Sequence, residues 1–206
     1  MTTELNWDDY LEPGHDFTDF PHGAVVVDIG CGWGGQLQLL GDRRCRAVGI
    51  ELDEDALVRC RRQGLRVVRA SAEALPFRDA SADGCISKVM LAFTDEPHAV
   101  AEIARVLKPG GRLEACYNAA GYYARYAVSG PTWRRRVYGV RTLFNTLVYS
   151  ATGRRLPGWI GDTVYQSADR LARYYAQSGL RLVRERRTKT FMGRSVFIYH
   201  TLEKRQ

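Results

Sequence analysis

The sequence predicts a doubly wound α/β domain whose parallel sheet is flanked by helices and ends in an antiparallel hairpin. Apolar, β-branched runs alternate with helical segments through the first 110 residues, which is typical of parallel sheets. A glycine cluster follows the first of these runs, and two strand-like runs joined by a short turn close the chain. With 206 residues, 45% of them hydrophobic, residues 1–206 are predicted to form one domain with its own core.

The first two strands and helices follow from local signals. Ala24–Ile29 is a continuous apolar run, as expected for a strand buried on both faces. After the glycine cluster, Gly35–Leu40 is a short helix and Arg46–Glu51 is the second strand. The acids at positions 53–55 open the next helix, because the helix dipole favours negative charge there, and Gly64 ends it.

The alternation continues as far as residue 117. Arg66–Ala70 and Gly84–Met90 are predicted to be the third and fourth strands. Between residues 97 and 107 the apolar side chains keep the spacing of an amphipathic helix. The segment Lys108–Gly111 is expected to break that helix, and Arg112–Tyr117 is the fifth strand.

The remainder of the chain follows a different pattern. Ser167 is a predicted N-cap for a helix that Gly179 ends, and Leu180–Thr188 and Arg194–Leu202 form an antiparallel hairpin at one sheet edge. Residues 119–165 are too many for a plain loop, so they are expected to form a helical insertion, or cap. One helix is predicted in it after residue 131, with an apolar stripe packed on the sheet; the stripe includes Val137, Phe144 and Leu147.

Composition excludes several protein classes. No run of about 18 apolar residues predicts a membrane span, and residues 1–22 carry six acids and no Lys or Arg, unlike a signal or transit peptide. The five cysteines are an odd number without a Cys-x-x-Cys pair, which argues against a disulfide framework or a zinc site. We therefore expect a cytoplasmic protein with reduced thiols and no metal.

Charge is distributed unevenly along the chain. Residues 1–120 hold 13 Lys/Arg against 19 Asp/Glu, a net −6, whereas residues 121–206 hold 17 against 4, a net +13. The basic half is compatible with nucleic acid, an anionic lipid or an acidic substrate. Arginines that solvate exposed helices and a hairpin would produce the same pattern, and we favour this interpretation because a high pI alone identifies no ligand.

The strongest chemical signal is the segment VVDIGCGWGG, which carries Gly30, Gly32 and Gly35. Glycines let the chain turn sharply from strand to helix and let a ligand approach bare backbone. Their spacing also satisfies the G-x-G-x-x-G dinucleotide pattern, which by itself leaves the cofactor open. Asp28 would repel a pyrophosphate and suits a cationic ligand, and Glu51 ends the second strand, where it can accept hydrogen bonds from two ribose hydroxyls.

Two further segments complete the pattern, SAEALPF at positions 71–77 and RVLKPGG at positions 105–111. Together these motifs resemble the class I S-adenosylmethionine-dependent methyltransferases, in particular the small bacterial type with E-A-L-P-F and L-K-P-G-G signatures. The resemblance covers residues 24–117, and the terminal helix and hairpin fit the family's seventh-strand ending. It implies a Rossmann-like fold and S-adenosylmethionine as cofactor.

The resemblance also implies cofactor contacts, residue by residue. Gly30 and Gly32 match the loop glycines beneath the methionine part of the cofactor, with Cys31 between them. Asp28 matches the acid that steadies this loop and its cationic contents. Glu51 matches the acid that binds the ribose.

On the adenine side, the resemblance implies contacts from Leu52 and Ala72. Ser71 stands where the family usually has Asp, so the contact to the adenine amino group rests on backbone or on Glu73.

Ser87 and Lys88 end the fourth strand, where the family meets the methionine end of the cofactor and the acceptor. A common variant carries histidines at the positions of Ala92 and Phe93, so no histidine base is expected there. We assign no catalytic residue and expect transfer by proximity and orientation, with a base needed only where the acceptor must lose a proton.

Aromatic side chains near the cofactor predict an acceptor pocket for an apolar or planar small molecule. Residues 1–23 are expected to act as an N-terminal lid that carries Trp7 and Tyr10, among other aromatics. Tyr122, Tyr123 and Tyr126 directly follow the fifth strand and are the predicted substrate-binding residues. The alternative is that these tyrosines are core residues.

Three functions follow, of which a small-molecule methyltransferase is the leading one. The second is a methyltransferase that acts on RNA or on an anionic lipid, suggested by the basic half and by Arg134–Arg136; against it, no recognised RNA-binding module or basic amphipathic N-terminal helix is present. The third is a non-catalytic binding protein, which the intact glycine loop and acids disfavour. The acceptor atom and the oligomeric state stay open.

Overall fold

The structure is a computed structural model that describes residues 17–206. Seven strands within this range form one sheet; they are β1 (Val25–Ile29), β2 (Arg46–Glu51), β3 (Val67–Arg69), β4 (Ala82–Lys88), β5 (Leu107–Asn118), β6 (Leu180–Phe191) and β7 (Arg194–Lys204). The helices of this range are α1 (Gly35–Asp42), α2 (Glu54–Arg62), α3 (Glu96–Val106), α4 (Ala120–Ser129), α5 (Trp133–Thr152) and α6 (Ala168–Gln177), with short 3-10 turns at Met90–Phe93 and Gly158–Ile160.

The sheet order is β3-β2-β1-β4-β5-β7-β6, with β1 to β5 parallel and the last two strands antiparallel. The predicted doubly wound sheet and its terminal hairpin at one edge are thus confirmed. The strand order reverses between β1 and β4, and doubly wound sheets bind ligands outside the carboxyl ends of the strands at such a point.

The core lies on both faces of the sheet because neighbouring residues of a strand point to opposite sides. Val26 and Ile86 belong to the cluster that packs with Leu40 of α1. Val27 and Cys85 belong to the larger cluster on the opposite face, which includes residues of α3 and α6. Both central strands are therefore buried on two sides, as their continuous apolar runs predict.

The segment Lys108–Gly111 differs from its prediction. Helix α3 ends at Val106, as expected, but β5 begins immediately at Leu107 and includes the whole segment. Lys108 Nζ lies 2.6 Å from Asp83 Oδ1 of β4, and Lys204 Nζ donates to the Leu107 carbonyl at 2.7 Å. The register between β4 and β5 shifts across this segment, so its residues bulge out of the ladder, and these side-chain contacts anchor its start.

The predicted packing of the insertion helix is wrong. Helix α5 buries a polar side that includes Thr142 and Asn145, whereas the stripe residues Val137, Phe144 and Leu147 are exposed. The reason is tertiary: α5 packs on α4 rather than on the sheet, so closely that a Cβ on Gly139 would lie 2.5 Å from a backbone nitrogen of α4. No helix within residues 17–206 is long and apolar enough to cross a bilayer.

Candidate cofactor and acceptor site

The loop between β1 and α1 exposes bare backbone at the carboxyl edge of the sheet. Gly30 (φ 74°) and Gly32 (φ 50°) adopt left-handed conformations, which L-residues rarely take. A Cβ on Gly30 would lie 2.7 Å from Met90 Cγ, whereas a Cβ on Gly32 would have no heavy atom within 4 Å. Gly30 is therefore needed to pack the loop on the turn after β4, and Gly32 leaves an open face for a ligand.

Glu51 ties this loop to the end of β2. Its Oε2 accepts the Gly32 N–H at 2.9 Å, and its Oε1 accepts the N–H groups of Leu52 at 2.7 Å and Asp53 at 3.0 Å. A carboxylate has about four acceptor sites, and three are used here. Glu51 thus organises the loop, a role that the sequence analysis missed, and its contact with a ribose stays a prediction.

Asp28 is the buried acid of the site. Burial raises the pKa of its carboxyl group to about 7, although the positive charge of Lys88 lowers that pKa in part. Its Oδ2 has no hydrogen-bond partner among the described residues. A buried carboxylate oxygen without a partner is costly, so a cationic ligand such as S-adenosylmethionine fits this position.

The strand register brings three polar residues to one face of the sheet. Asp28 pairs with Ile86, two residues before Lys88, and Lys88 pairs with Cys116, two residues before Asn118. Side chains at these positions share a face because the strand period is two. Lys88 Nζ also lies 5.4 Å from the centre of the Phe17 ring, which adds an aromatic wall to that face.

Asn118 is a site residue that the sequence analysis did not single out. It is buried at the carboxyl end of β5, and its Oδ1 has no hydrogen-bond partner in the described part of the chain. Ser87 Oγ, at the end of β4, is likewise buried without a partner in residues 17–206, but the register directs Ser87 to the opposite face from Lys88. A polar residue that ends an apolar strand was the available signal for Asn118.

The predicted adenine-side residues have contacts of their own. Ser71 Oγ accepts the Glu73 N–H at 3.2 Å, and Glu73 Oε1 accepts the Asp95 N–H at the start of α3 at 2.7 Å. Leu52 is exposed and Ala72 belongs to the main core cluster. Glu73 therefore links its loop to α3, and the adenine contacts of all four residues stay predictions.

Cys31 points away from the open face of the loop. Its side chain packs beneath the loop, where a Cβ on Gly49 would lie 2.5 Å from its Sγ, and burial raises the pKa of its thiol. Cys60 supports the loop from below, because its thiol donates to the Gly32 carbonyl at 3.3 Å. The side chain of Cys31 therefore supports the loop, and its contact with the cofactor stays a prediction.

The three predicted substrate-binding tyrosines are buried in an aromatic cluster between α4 and β7. Tyr122 packs edge-on against Tyr123 and Tyr126, with ring centres 5.1 and 4.8 Å apart. Phe197 belongs to the same cluster, and Phe17 packs against it. This burial favours the alternative in which the tyrosines are core residues, and their substrate contact stays a prediction.

The predicted N-terminal lid lies mostly outside the described residues, as do Trp7 and Tyr10. Of its part within the described range, Phe17 is fixed by its carbonyl, which accepts from Gln36 Nε2 of α1 at 3.1 Å. Phe20 is buried in the cluster beside β1. Phe17 is thus held next to Lys88 at the carboxyl edge of the sheet.

Comparison with known proteins adds to this geometry. Residues 27–115 match the family described as "Methyltransferase domain". The chain is 34% identical over 95 residues to a tRNA (carboxymethyluridine(34)-5-O)-methyltransferase of Arabidopsis thaliana, a stretch covering 44% of this chain and 23% of the relative. It is 36% identical over 93 residues to a malonyl-[acyl-carrier protein] O-methyltransferase of Enterobacter lignolyticus, covering 44% and 37%. The chain therefore matches well under half the length of these relatives.

The fold has close counterparts among solved structures. An S-adenosylmethionine-dependent methyltransferase from Mesorhizobium loti superposes with a TM-score of 0.66 at 18% identity, covering 90% of this chain and 94% of that one. At this identity the likeness shows the fold alone, and it confirms the predicted Rossmann-like architecture.

Proposed function

We propose, from the membership of residues 27–115 in a methyltransferase domain family, that this protein transfers a methyl group to a small-molecule acceptor. S-adenosylmethionine is the cofactor that this domain and fold imply. The observation that carries the proposal is the open glycine loop held by Glu51 beside the buried, incompletely paired carboxylate of Asp28.

Different residues of the site are proposed to bind different parts of the cofactor. When bound, S-adenosylmethionine supplies an electrophilic methyl group on a sulfonium. The carboxylate of Asp28 offers a buried negative charge to the cationic part of the cofactor, where low dielectric strengthens the attraction. Glu51 offers its remaining acceptor capacity to the ribose, and the bare backbone at Gly32 permits close approach.

The acceptor is expected on the face that carries Lys88 and Asn118. Phe17 gives this face an apolar wall, while the Asn118 side chain offers an unsatisfied polar atom. A small number of polar groups in apolar surroundings is typical of small-molecule sites. Asn118 would orient the acceptor, and orientation alone can supply much of the rate of methyl transfer.

The position of a histidine base in the common variant of the family is filled by apolar residues here. Ala92 is buried and Phe93 is exposed, in the turn that follows β4. A general base is therefore not part of the proposal, and an acceptor that needs no base fits best. Asp28, with its pKa raised to about 7, is a buried group at the glycine loop that could exchange a proton at neutral pH.

The second candidate is a methyltransferase that acts on RNA. It is favoured by the similarity to a tRNA methyltransferase and by exposed arginines on the edge strand β6. Two of these are neutralised within the hairpin, since Arg181 pairs with Glu203 at 2.8 Å and Arg187 with Glu185 at 2.6 Å. This pairing weakens the edge strand as a phosphate-binding surface, so the small-molecule proposal is preferred.

The experiment offers isotope-labelled S-adenosylmethionine and the full chain to separate metabolite, RNA and lipid extracts. We expect label in a small molecule of the metabolite extract, and at least about tenfold less of it with Glu51→Ala when S-adenosylmethionine is below saturation. Label in RNA that persists at about 0.2 M salt, where counterion-driven binding is already weak, would replace the proposal by the second candidate. Cofactor binding without label in any extract would indicate a non-catalytic binding protein. A cytoplasmic location is part of the proposal, and cell fractionation tests it.

A further inference from the structure

Helix α5 has its polar side inside and its apolar side outside. Five of its apolar side chains are between 42% and 70% exposed, and we call them the apolar row; they are Trp133, Val137, Val140, Phe144 and Leu147. Single exposed apolar residues are normal in proteins. A contiguous exposed row on one helix is not, and it indicates a surface that meets a partner.

The apolar row is straight and narrow. Its members follow each other at intervals of four, three, four and three residues. With about 100° of rotation per residue, they fall within about 80° of the helix circumference and extend over about 21 Å. The row is therefore one continuous ridge along the outside of the protein.

The inner side of α5 is fully committed to the fold. Asn145 Nδ2 donates to the Thr163 carbonyl at 2.8 Å, and Asn145 Oδ1 accepts the Leu156 N–H at 3.1 Å. Thr146 Oγ1 accepts the Tyr165 N–H at 2.9 Å. These bonds hold the segment of residues 156–165, which follows α5, against the helix. The helix therefore cannot turn its apolar row inward without breaking them.

The surroundings of the apolar row are strongly basic. Residues 121–161 contain seven arginines and no Asp or Glu, and the next acid, Asp162, pairs with Arg141 at 2.7 Å. At about 100° per residue, Arg136 lies on one side of the row and Arg134 on the other, and both residues are exposed. Exposed apolar residues flanked by arginines are complementary to a surface that carries negative charge on the outside and has an apolar layer below it.

We propose that the apolar row of α5 docks this protein on the surface of an anionic lipid bilayer. Trp133, Phe144 and their neighbours would enter the boundary between headgroups and acyl chains, as interfacial helices do, with Trp133 at the depth that tryptophan favours. Arg134 and Arg136 would contact the anionic headgroups. The docking is peripheral and does not depend on the proposed methyl transfer.

A second copy of the chain fits the apolar row less well. Parallel two-fold pairing of α5 would bring Arg134 and Arg136 beside those of the other helix, and antiparallel pairing would offer them no carboxylate partner, because α5 contains none. Helix pairs normally place opposite charges beside their apolar seam. Charge complementarity therefore favours anionic lipid as the occupant.

The test is co-sedimentation of the full chain, without cofactor, with vesicles of two compositions. One is phosphatidylcholine alone, and the other contains about 30% phosphatidylserine, which gives the surface a negative potential. We expect at least about tenfold tighter binding to the second, decreasing with added salt because the charges are screened. Equal binding to both compositions, or to neither, would overturn the proposal.

Variants separate the apolar row from general effects. Phe144→Asp should weaken binding to the anionic vesicles at least about tenfold, because it removes apolar burial and adds a like charge. The matched control is Val68→Asp, at an exposed position on the opposite edge strand β3, which should bind as the wild type does. Arg134→Gln combined with Arg136→Gln should reduce the salt dependence. Thermal melts verify that each variant is folded.

Two further outcomes would overturn the assignment. One is wild-type binding by folded Phe144→Asp. The other is a dimer in light scattering that Phe144→Asp dissociates, with no vesicle binding, which would assign the row to a second copy. Calorimetric binding of S-adenosylmethionine by the same samples reports on the proposed function separately, so failure of one proposal is distinguishable from failure of the other.

Discussion

The strand ends around the glycine loop and the insertion after β5 use polar groups in opposite ways. At the strand ends, Asp28 and Asn118 are each buried with one side-chain oxygen that no described residue satisfies. These oxygens are available to a ligand. In the insertion, the buried Asn145 is bonded through both of its side-chain polar atoms, while the apolar row of α5 faces outward. Unsatisfied buried polarity and exposed apolar surface are both unfavourable, so each marks a place that meets another molecule.

The comparison with relatives divides the chain at nearly the same point. The methyltransferase domain match ends at residue 115, before α4 and α5 begin. The family match therefore includes the glycine loop and the ends of β1, β2 and β4, and it does not include α4 or α5. Experiments that separate the two regions test that division.

The largest expected effect is in the aromatic cluster of the insertion. Tyr123 is 0% exposed, and truncating a buried aromatic side chain to alanine costs about 3–5 kcal/mol. We expect Tyr123→Ala to lower the melting temperature by about 10 °C or more, with Tyr123→Phe as the milder control. A stable Tyr123→Ala variant with lost turnover would instead return the tyrosines to the acceptor pocket.

The second effect is in the cofactor half. Glu51→Ala removes the acceptor for three backbone N–H groups as well as the expected ribose contact, and charge-assisted bonds are each worth about 1.5–3 kcal/mol. Affinity for S-adenosylmethionine measured by calorimetry should fall roughly 10- to 100-fold, since water replaces part of the loss. Glu54→Ala, in an exposed pair with Arg61, is the matched control and should bind normally. Unchanged affinity in Glu51→Ala would refute its role.

The third effect tests where the two regions meet. Asn118→Ala should leave cofactor affinity within about threefold, below 1 kcal/mol, because the cofactor is expected at the loop and Glu51. Turnover of the acceptor found by labelling should drop about tenfold through lost positioning. A rise in KM with unchanged kcat would show that Asn118 binds the acceptor without orienting it.

The smallest effect is the pH dependence set by Asp28. Its pKa is raised from 3.8 to about 7 in the folded protein, so its contribution to stability is present below about pH 4 and is lost as pH rises through 7. A cationic cofactor favours the ionised form, so binding should release a proton and strengthen by a few-fold between about pH 6 and 8.

Calorimetry in buffers of different ionisation enthalpy measures that proton. The uncharged thioether product, S-adenosylhomocysteine, should release less of it than S-adenosylmethionine. Asp28→Asn should abolish the pH dependence, and an identical proton count in this variant would show that another group titrates.

Much of the architecture was determined by the sequence itself, because the signals are local. Ser167 was predicted as an N-cap, and its Oγ accepts the Arg170 N–H at 3.2 Å. The run Arg46–Glu51 forms the second strand with these bounds. Turn glycines, caps and the period of apolar residues act through the backbone over a few residues, so no distant contact is needed to interpret them.

What only the tertiary structure decided is how elements face each other. The spacing of Val137, Phe144 and Leu147 predicts an apolar side of α5, but a period cannot say which side turns inward. Which side turns inward is decided by the close contact of α5 with α4 at Gly139 and by the hydrogen bonds of Asn145 to the segment that follows α5. The same holds for Glu51 and the glycine loop, because hydrogen bonds between residues far apart in sequence exist only once the strands have assembled.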